Sequence, residues 1–148
     1  MSTLGRLQHI KLKGFRSIRE LDLELAPLNV LIGANGAGKS NFISFFKFMN
    51  KLLDKDLQLY VAQQGGANSL LYFGRKTTEA IEVDLGFNPY SYDISLVPTK
   101  DDRLVFEREV FGLNRGLDTP DGDWLNFVTG AVATSESQLP ADDPRSAG

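Results

Sequence analysis

Gly33, Ala34, Asn35, Gly36, Ala37, Gly38, Lys39 and Ser40 fit the spacing G-x-x-x-x-G-K-[S/T], and every fixed position has a mechanical reason. The glycines let the chain turn through conformations that a Cβ would forbid. They also bring successive backbone N–H groups around a phosphate, at a helix N-terminus whose first donors have no partner. Lys39 would add a positive charge between the β- and γ-phosphates of a nucleotide, and the Ser40 hydroxyl is spaced to bind Mg²⁺. Four such matches arise by chance in about one chain of this length in two hundred. The spacing therefore selects strongly for a phosphate loop over a glycine-rich turn with an incidental lysine.

Such a loop works only between a buried strand and an amphipathic helix, and both are legible. Leu28 to Ile32 (LNVLI) is a short, largely apolar run that predicts a central strand covered on both faces. After Ser40 the period becomes helical, with Phe42, Phe45, Phe46, Met49, Leu52 and Leu53 on one side and Ser44, Lys47 and Lys51 largely on the other. That stripe is expected to pack on a sheet. Upstream, Ile10 and Leu12 alternate with His9, Lys11 and Lys13, and Leu21, Leu23 and Leu25 alternate with Asp22 and Glu24, predicting two strands with one wet face each. Downstream, a second helical piece spans Leu57 to Gln64 and stops at Gly65-Gly66, with Gln63 and Gln64 read as surface polarity. Ile81 to Phe87, Tyr90 to Leu96 and Leu104 to Val110 then alternate again, separated by Asn88-Pro89 and by Thr99 to Asp102, which predicts an antiparallel meander. From Gly112 the pattern fades around one isolated apolar cluster (Trp124, Leu125, Phe127, Val128), and the last twenty residues have little to bury. The expected class is α/β: residues 1–111 form a phosphate-loop lobe with an antiparallel β meander, and 112–148 a loosely ordered connector or truncated continuation.

Composition agrees with one ordinary domain: 148 residues, 42% hydrophobic and 24% charged. The absence of cysteine excludes a disulfide framework, a thiolate nucleophile and a cysteine zinc site, and a single histidine, His9, excludes a histidine-pair metal motif. No apolar run of membrane-spanning length or secretory leader is visible, so a cytoplasmic protein without a membrane partner is expected. Residues 1–50 carry seven Lys/Arg against three Asp/Glu, whereas 101–148 carry four against ten. Arg6, Lys11, Lys13, Arg16 and Arg19 are therefore either a local basic patch or solvated strand faces.

The runs IKLKGFRSI (10–18) and LNVLIGANGAGKSNF (28–42) together resemble the N-terminal lobe of ABC-type ATPase heads of the RecF and SMC kind, in particular the bacterial RecF-like predicted ATPases of the AAA family. The resemblance covers about residues 5–111. It implies that Gly33 to Ser40 bind ATP with Mg²⁺, that Ser40 is the metal ligand and that Asn41 makes a contact just beyond the loop. It also nominates Arg16 as lying near the nucleotide, against the alternative of an ordinary surface arginine. Partners implied are a C-terminal ATPase lobe from the same or a second chain, a head-to-head homodimer of the longer protein, and DNA.

Departures from that family are as informative. Its hydrolysis needs an apolar strand ending in Asp-Glu, a Ser-Gly signature and a switch histidine; no Asp-Glu pair occurs, and the histidine precedes the loop. The nearest substitute, Ala80 to Asp84, is an alternating strand interrupted by Glu82. The chain thus reads as the first lobe of a longer ATPase, binding nucleotide and hydrolysing little by itself, and no catalytic residue is assigned. A nucleotide-binding interaction module without hydrolysis is the alternative. A small GTPase is remote, since no aspartate has a glycine three positions on, and the arginine tracts of small-molecule kinases are missing.

Overall fold

A computed structural model describes residues 5–114, 124–130 and 134–138. Alternation in the first stretch produces β1 (His9–Phe15) and β2 (Ile18–Glu24), an antiparallel hairpin closed by the two-residue turn Arg16-Ser17. The three later alternating runs are β3 (Ile81–Phe87), β4 (Tyr90–Pro98) and β5 (Leu104–Asn114), the expected meander. The cluster that looked isolated in sequence is a strand as well: β6 (Trp124–Gly130) pairs with β5. The strands form one antiparallel six-stranded sheet in the order β2-β1-β3-β4-β5-β6.

Between β2 and β3 the chain leaves the sheet, passes through the glycine-rich loop and forms α1 (Lys39–Leu53), α2 (Leu57–Gln63) and α3 (Ala67–Leu70). It then returns beside β1 rather than β2. The return requires a close approach at Gly14, which has φ 77; a Cβ there would lie 2.5 Å from the Ala80 carbonyl oxygen. The Tyr72 N–H bonds the Gly14 carbonyl at 2.9 Å.

One core joins the helices to one face of the sheet. Ile10, Leu12 and Phe15 of β1, Ile81 and Val83 of β3, and Ile94 and Leu96 of β4 meet Phe45, Phe48 and Leu52 of α1 and Leu57 and Val61 of α2, all essentially solvent-free. Phe15 is the hub, with its ring 6.0 Å from Phe45 and 5.3 Å from Phe48. The buried stripe of α1 is Phe45, Phe48, Met49 and Leu52. Phe46 and Leu53, expected in the core, are instead 37% and 49% exposed. Each follows a buried residue by one position, about 100° around the helix, and faces away from the sheet.

The other sheet face is charged and balanced across strands. Lys11 sits opposite Asp22 on β2 and Asp84 on β3, and Lys13 opposite Glu20 and Glu82. Lys11 and Lys13 are therefore solvated strand-face residues with acidic neighbours. The lone histidine belongs to the same arrangement: His9 Nε2 lies 2.6 Å from Asp22, a hydrogen bond that, with Lys11, holds the Asp22 carboxyl below its ordinary pKa.

The segment Leu28–Ile32 overturns an expectation. It is not a strand, and Leu28, Val30, Leu31 and Ile32 are 81%, 72%, 48% and 89% exposed. A largely apolar strand of this kind needs a neighbour on each edge and a layer on each face, and none of the described strands lies beside it. Its start is instead held locally, by paired hydrogen bonds between the Asn29 side chain and the Ala26 backbone (3.0 and 2.8 Å).

Candidate phosphate site

The loop is built on the first turn of α1. Its glycines supply the bends, Gly36 with φ 85 and Gly38 with φ 95. Gly38 is the N-cap, and no side chain caps the helix. The helical ladder begins with the Phe42 N–H bonding the Gly38 carbonyl at 2.9 Å, so the N–H groups of Lys39, Ser40 and Asn41 precede it. No acidic residue occupies the first turn. The helix therefore presents its positive end without a competing negative charge.

Lys39 closes the loop from inside. Its Nζ donates to the Gly33 carbonyl and, at 2.8 Å, to the Ala34 carbonyl. Those acceptors are neutral, so the ammonium keeps its charge for an anion entering the turn; phosphate oxygens are the stronger, charge-assisted partners. Around Gly36 a Cβ would meet nothing within 4 Å, leaving that side open to a ligand. The residues present fit a phosphate group. For Mg²⁺ the local donor is the Ser40 hydroxyl, and among the described residues no group of three His, Asp or Glu side chains could hold a metal. A cation here would take its remaining oxygens from the phosphates and water.

The fold sets the β1–β2 turn, which carries Arg16, against the flank of the loop that Asn41 borders. The Asn41 side-chain amide donates to Ser17 Oγ at 2.6 Å, and a Cβ on Gly38 would lie 3.6 Å from that same hydroxyl. The β1–β2 turn is thus docked on the loop and the first turn of α1, which puts Arg16 one residue away from it. Arg16 occupies the left-handed region (φ 49), and its N–H bonds the Leu70 carbonyl at 2.7 Å. Its guanidinium lies 5.8 Å from the Phe15 ring centroid and donates to Gln64 Oε1. Ser17 and Gln64 are contacts that sequence reasoning missed. Ser17 lies inside the stretch that carried the resemblance, whereas Gln64 sits 48 residues from Arg16 and left no local signal.

Comparison with known proteins agrees with this geometry. Residues 6–112 match the family described as AAA ATPase domain. Endonuclease GajA of Bacillus cereus is 30% identical over 88 residues, 60% of this chain and 14% of the relative. The OLD nuclease of Thermus scotoductus is 30% identical over 83 residues, 56% of this chain and 15% of the relative. The DNA replication and repair protein RecF of Acidothermus cellulolyticus is 31% identical over 101 residues, 66% of this chain and 25% of the relative. The chain spans at most about a quarter of the length of these relatives. The family match runs through the β1–β2 hairpin, the phosphate loop, the helices and the meander, and the RecF likeness bears out the resemblance to RecF- and SMC-like heads. With the loop, its helix and its flanking turn all inside the matched span, the chain belongs to the AAA ATPase domain family.

Proposed function

We propose that this chain is the ATP-binding lobe of a RecF/SMC-like ATPase, that it grips ATP through Gly33 to Ser40 with Asn41 and Arg16 flanking, and that it hydrolyses little by itself. The observation that carries the reading is the uncapped N-terminus of α1 with the Lys39 ammonium lodged among neutral carbonyls of the loop. Mg²⁺ bound at Ser40 would supply charge neutralisation on the phosphates. Hydrolysis needs in addition a water held in line with the γ-phosphate. Among the available acids, Glu82, Asp84 and Glu107 belong to the sheet, and Glu109 is fully buried with Tyr92 and Ser137 around it.

The bare segment Leu28–Ile32 supports the second half of the proposal. Those apolar residues lead directly into the loop and are exposed, as expected of a strand whose neighbours come from a C-terminal ATPase lobe. On this reading residues 1–111 are the N-terminal lobe and 112–148 a connector or truncated continuation, whose β6 pairs with the lobe's own sheet. The complete protein would pair head to head, with DNA as the partner class suggested by relatives named as nucleases and as a replication and repair protein. A cytoplasmic location is part of the same proposal; among the described residues no helix is long and apolar enough to cross a membrane.

Titration of the chain with MgATP tests the grip. Lys39→Ala should lose a charge-assisted contact of about 1.5 to 3 kcal/mol, roughly ten- to a hundredfold in affinity. Indistinguishable curves for the two proteins would reject the site. In the same preparation, single-turnover hydrolysis with protein in excess should remain slow; turnover near one per second that disappears with Lys39→Ala would reject the division of labour between lobes.

A further inference from the structure

Arg16 differs from Arg103 and Arg108 in what holds it, and shares with Arg75, whose guanidinium donates to the Thr99 carbonyl at 2.7 Å, an end on a neutral oxygen. Arg103 ends on Asp101 at 2.6 Å and Arg108 on Asp93 at 2.8 Å, so each is spent on a carboxylate. Arg16 is held by its backbone bond to Leu70, by a left-handed turn docked on the loop and by the Phe15 ring, and its side-chain acceptor is the neutral amide of Gln64. Its Nε is buried with no hydrogen-bond partner among the described residues. A guanidinium has five donors and is always charged. Orienting it with an amide oxygen leaves that charge available, whereas a carboxylate in the same place would neutralise it.

We propose that Gln64 is a positioning residue for the nucleotide: its side-chain oxygen orients the guanidinium of Arg16, whose turn docks on the phosphate loop, without discharging it, so that Arg16 is oriented and unpaired when phosphate arrives. Gln64 can do this because it is the C-cap of α2, at the corner where the chain turns through Gly65-Gly66 toward α3. Leu70 of α3 holds the Arg16 backbone from the same corner. Two small helices thus act together as a clamp on the β1–β2 turn, and the turn in its turn touches the loop through Ser17.

The inference depends on the nucleotide reading above, and a double-mutant cycle on the full chain separates the two. Gln64→Glu keeps the size and the acceptor but adds a charge. It should leave the thermal midpoint unchanged or raise it, because the Arg16 contact becomes an ion pair, and yet weaken MgATP binding by about tenfold. Gln64→Met, which removes the acceptor without adding charge, should weaken binding less than Gln64→Glu does. In an Arg16→Ala background the Gln64→Glu effect should fall below about twofold. The proposal is overturned if Gln64→Glu binds like the parent, if its loss is equal with and without Arg16, or if Gln64→Met is the weaker binder of the two. Parent protein that binds MgATP in a Lys39-dependent manner while any of these holds would overturn the role of Gln64 alone; parent protein that fails to bind would overturn the nucleotide reading with it.

Discussion

The antiparallel sheet and the segment that feeds the phosphate loop are similarly apolar in sequence and opposite in outcome. Residues such as Ile10, Val83 and Ile94 are sealed on one edge by hairpin neighbours, at the β1–β3 seam by the returning chain, and above by the helices. Leu28, Val30 and Ile32 have the same chemistry and stand in solvent. The difference lies in how each kind of strand gets its partners. An antiparallel meander completes its own ladder through short turns and needs one covering layer, which α1 provides. A largely apolar strand running into a phosphate loop needs partners on both edges and layers on both faces, and those come from distant sequence. The sheet thus finds every partner among the described strands and helices, while the loop's own strand finds none there.

Breaking the sealed side should have the largest effect. Phe48→Ala removes a fully buried ring that packs on Phe15 and Tyr60, and should cost about 3 to 5 kcal/mol in urea or thermal unfolding. The matching change on the bare side, Val30→Ser with Ile32→Ser, should move stability by no more than about 0.5 kcal/mol. A loss comparable to that of Phe48→Ala would mean that the segment is covered in solution and that the contrast between the regions is false.

A finer test concerns the sheet's other face. Asp93 lies opposite Asp84 in the register, and despite its ion pair with Arg108 its pKa is raised above the ordinary value, chiefly by partial burial. A carboxylate with a folded-state pKa above its unfolded value makes folding weaker as pH rises through that range, because the charged form is disfavoured. Asp93→Asn should therefore stabilise the chain slightly at pH 7, and the gain should vanish once pH falls below about 4, where both states are protonated. A stabilisation that persists at low pH would assign the effect to packing instead.

Much of this could be read before any coordinates. Most elements followed from periodicity: alternation for β1 to β5, a helical stripe after Ser40, and glycines closing the second helix. The phosphate loop followed from residue type and spacing alone, because its work is done by backbone N–H groups and one lysine that are contiguous in the chain. Local chemistry needs only local sequence.

Tertiary structure decided whatever depended on a partner. Periodicity identified an apolar stripe on α1 but put Phe46 and Leu53 in it and left Phe48 out, and only packing against the sheet put Phe48 inside and Phe46 outside. The strand at Leu28–Ile32 was legible as apolar, yet a strand exists only with neighbours, and the described sheet supplies none there. Asn41 and Ser17, like Arg16 and Gln64, became contacts only when the β1–β2 turn settled between the phosphate loop and the α2–α3 corner. No period or spacing encodes such pairs: their partners are 24 and 48 residues apart, and what joins them is the return of the chain beside β1.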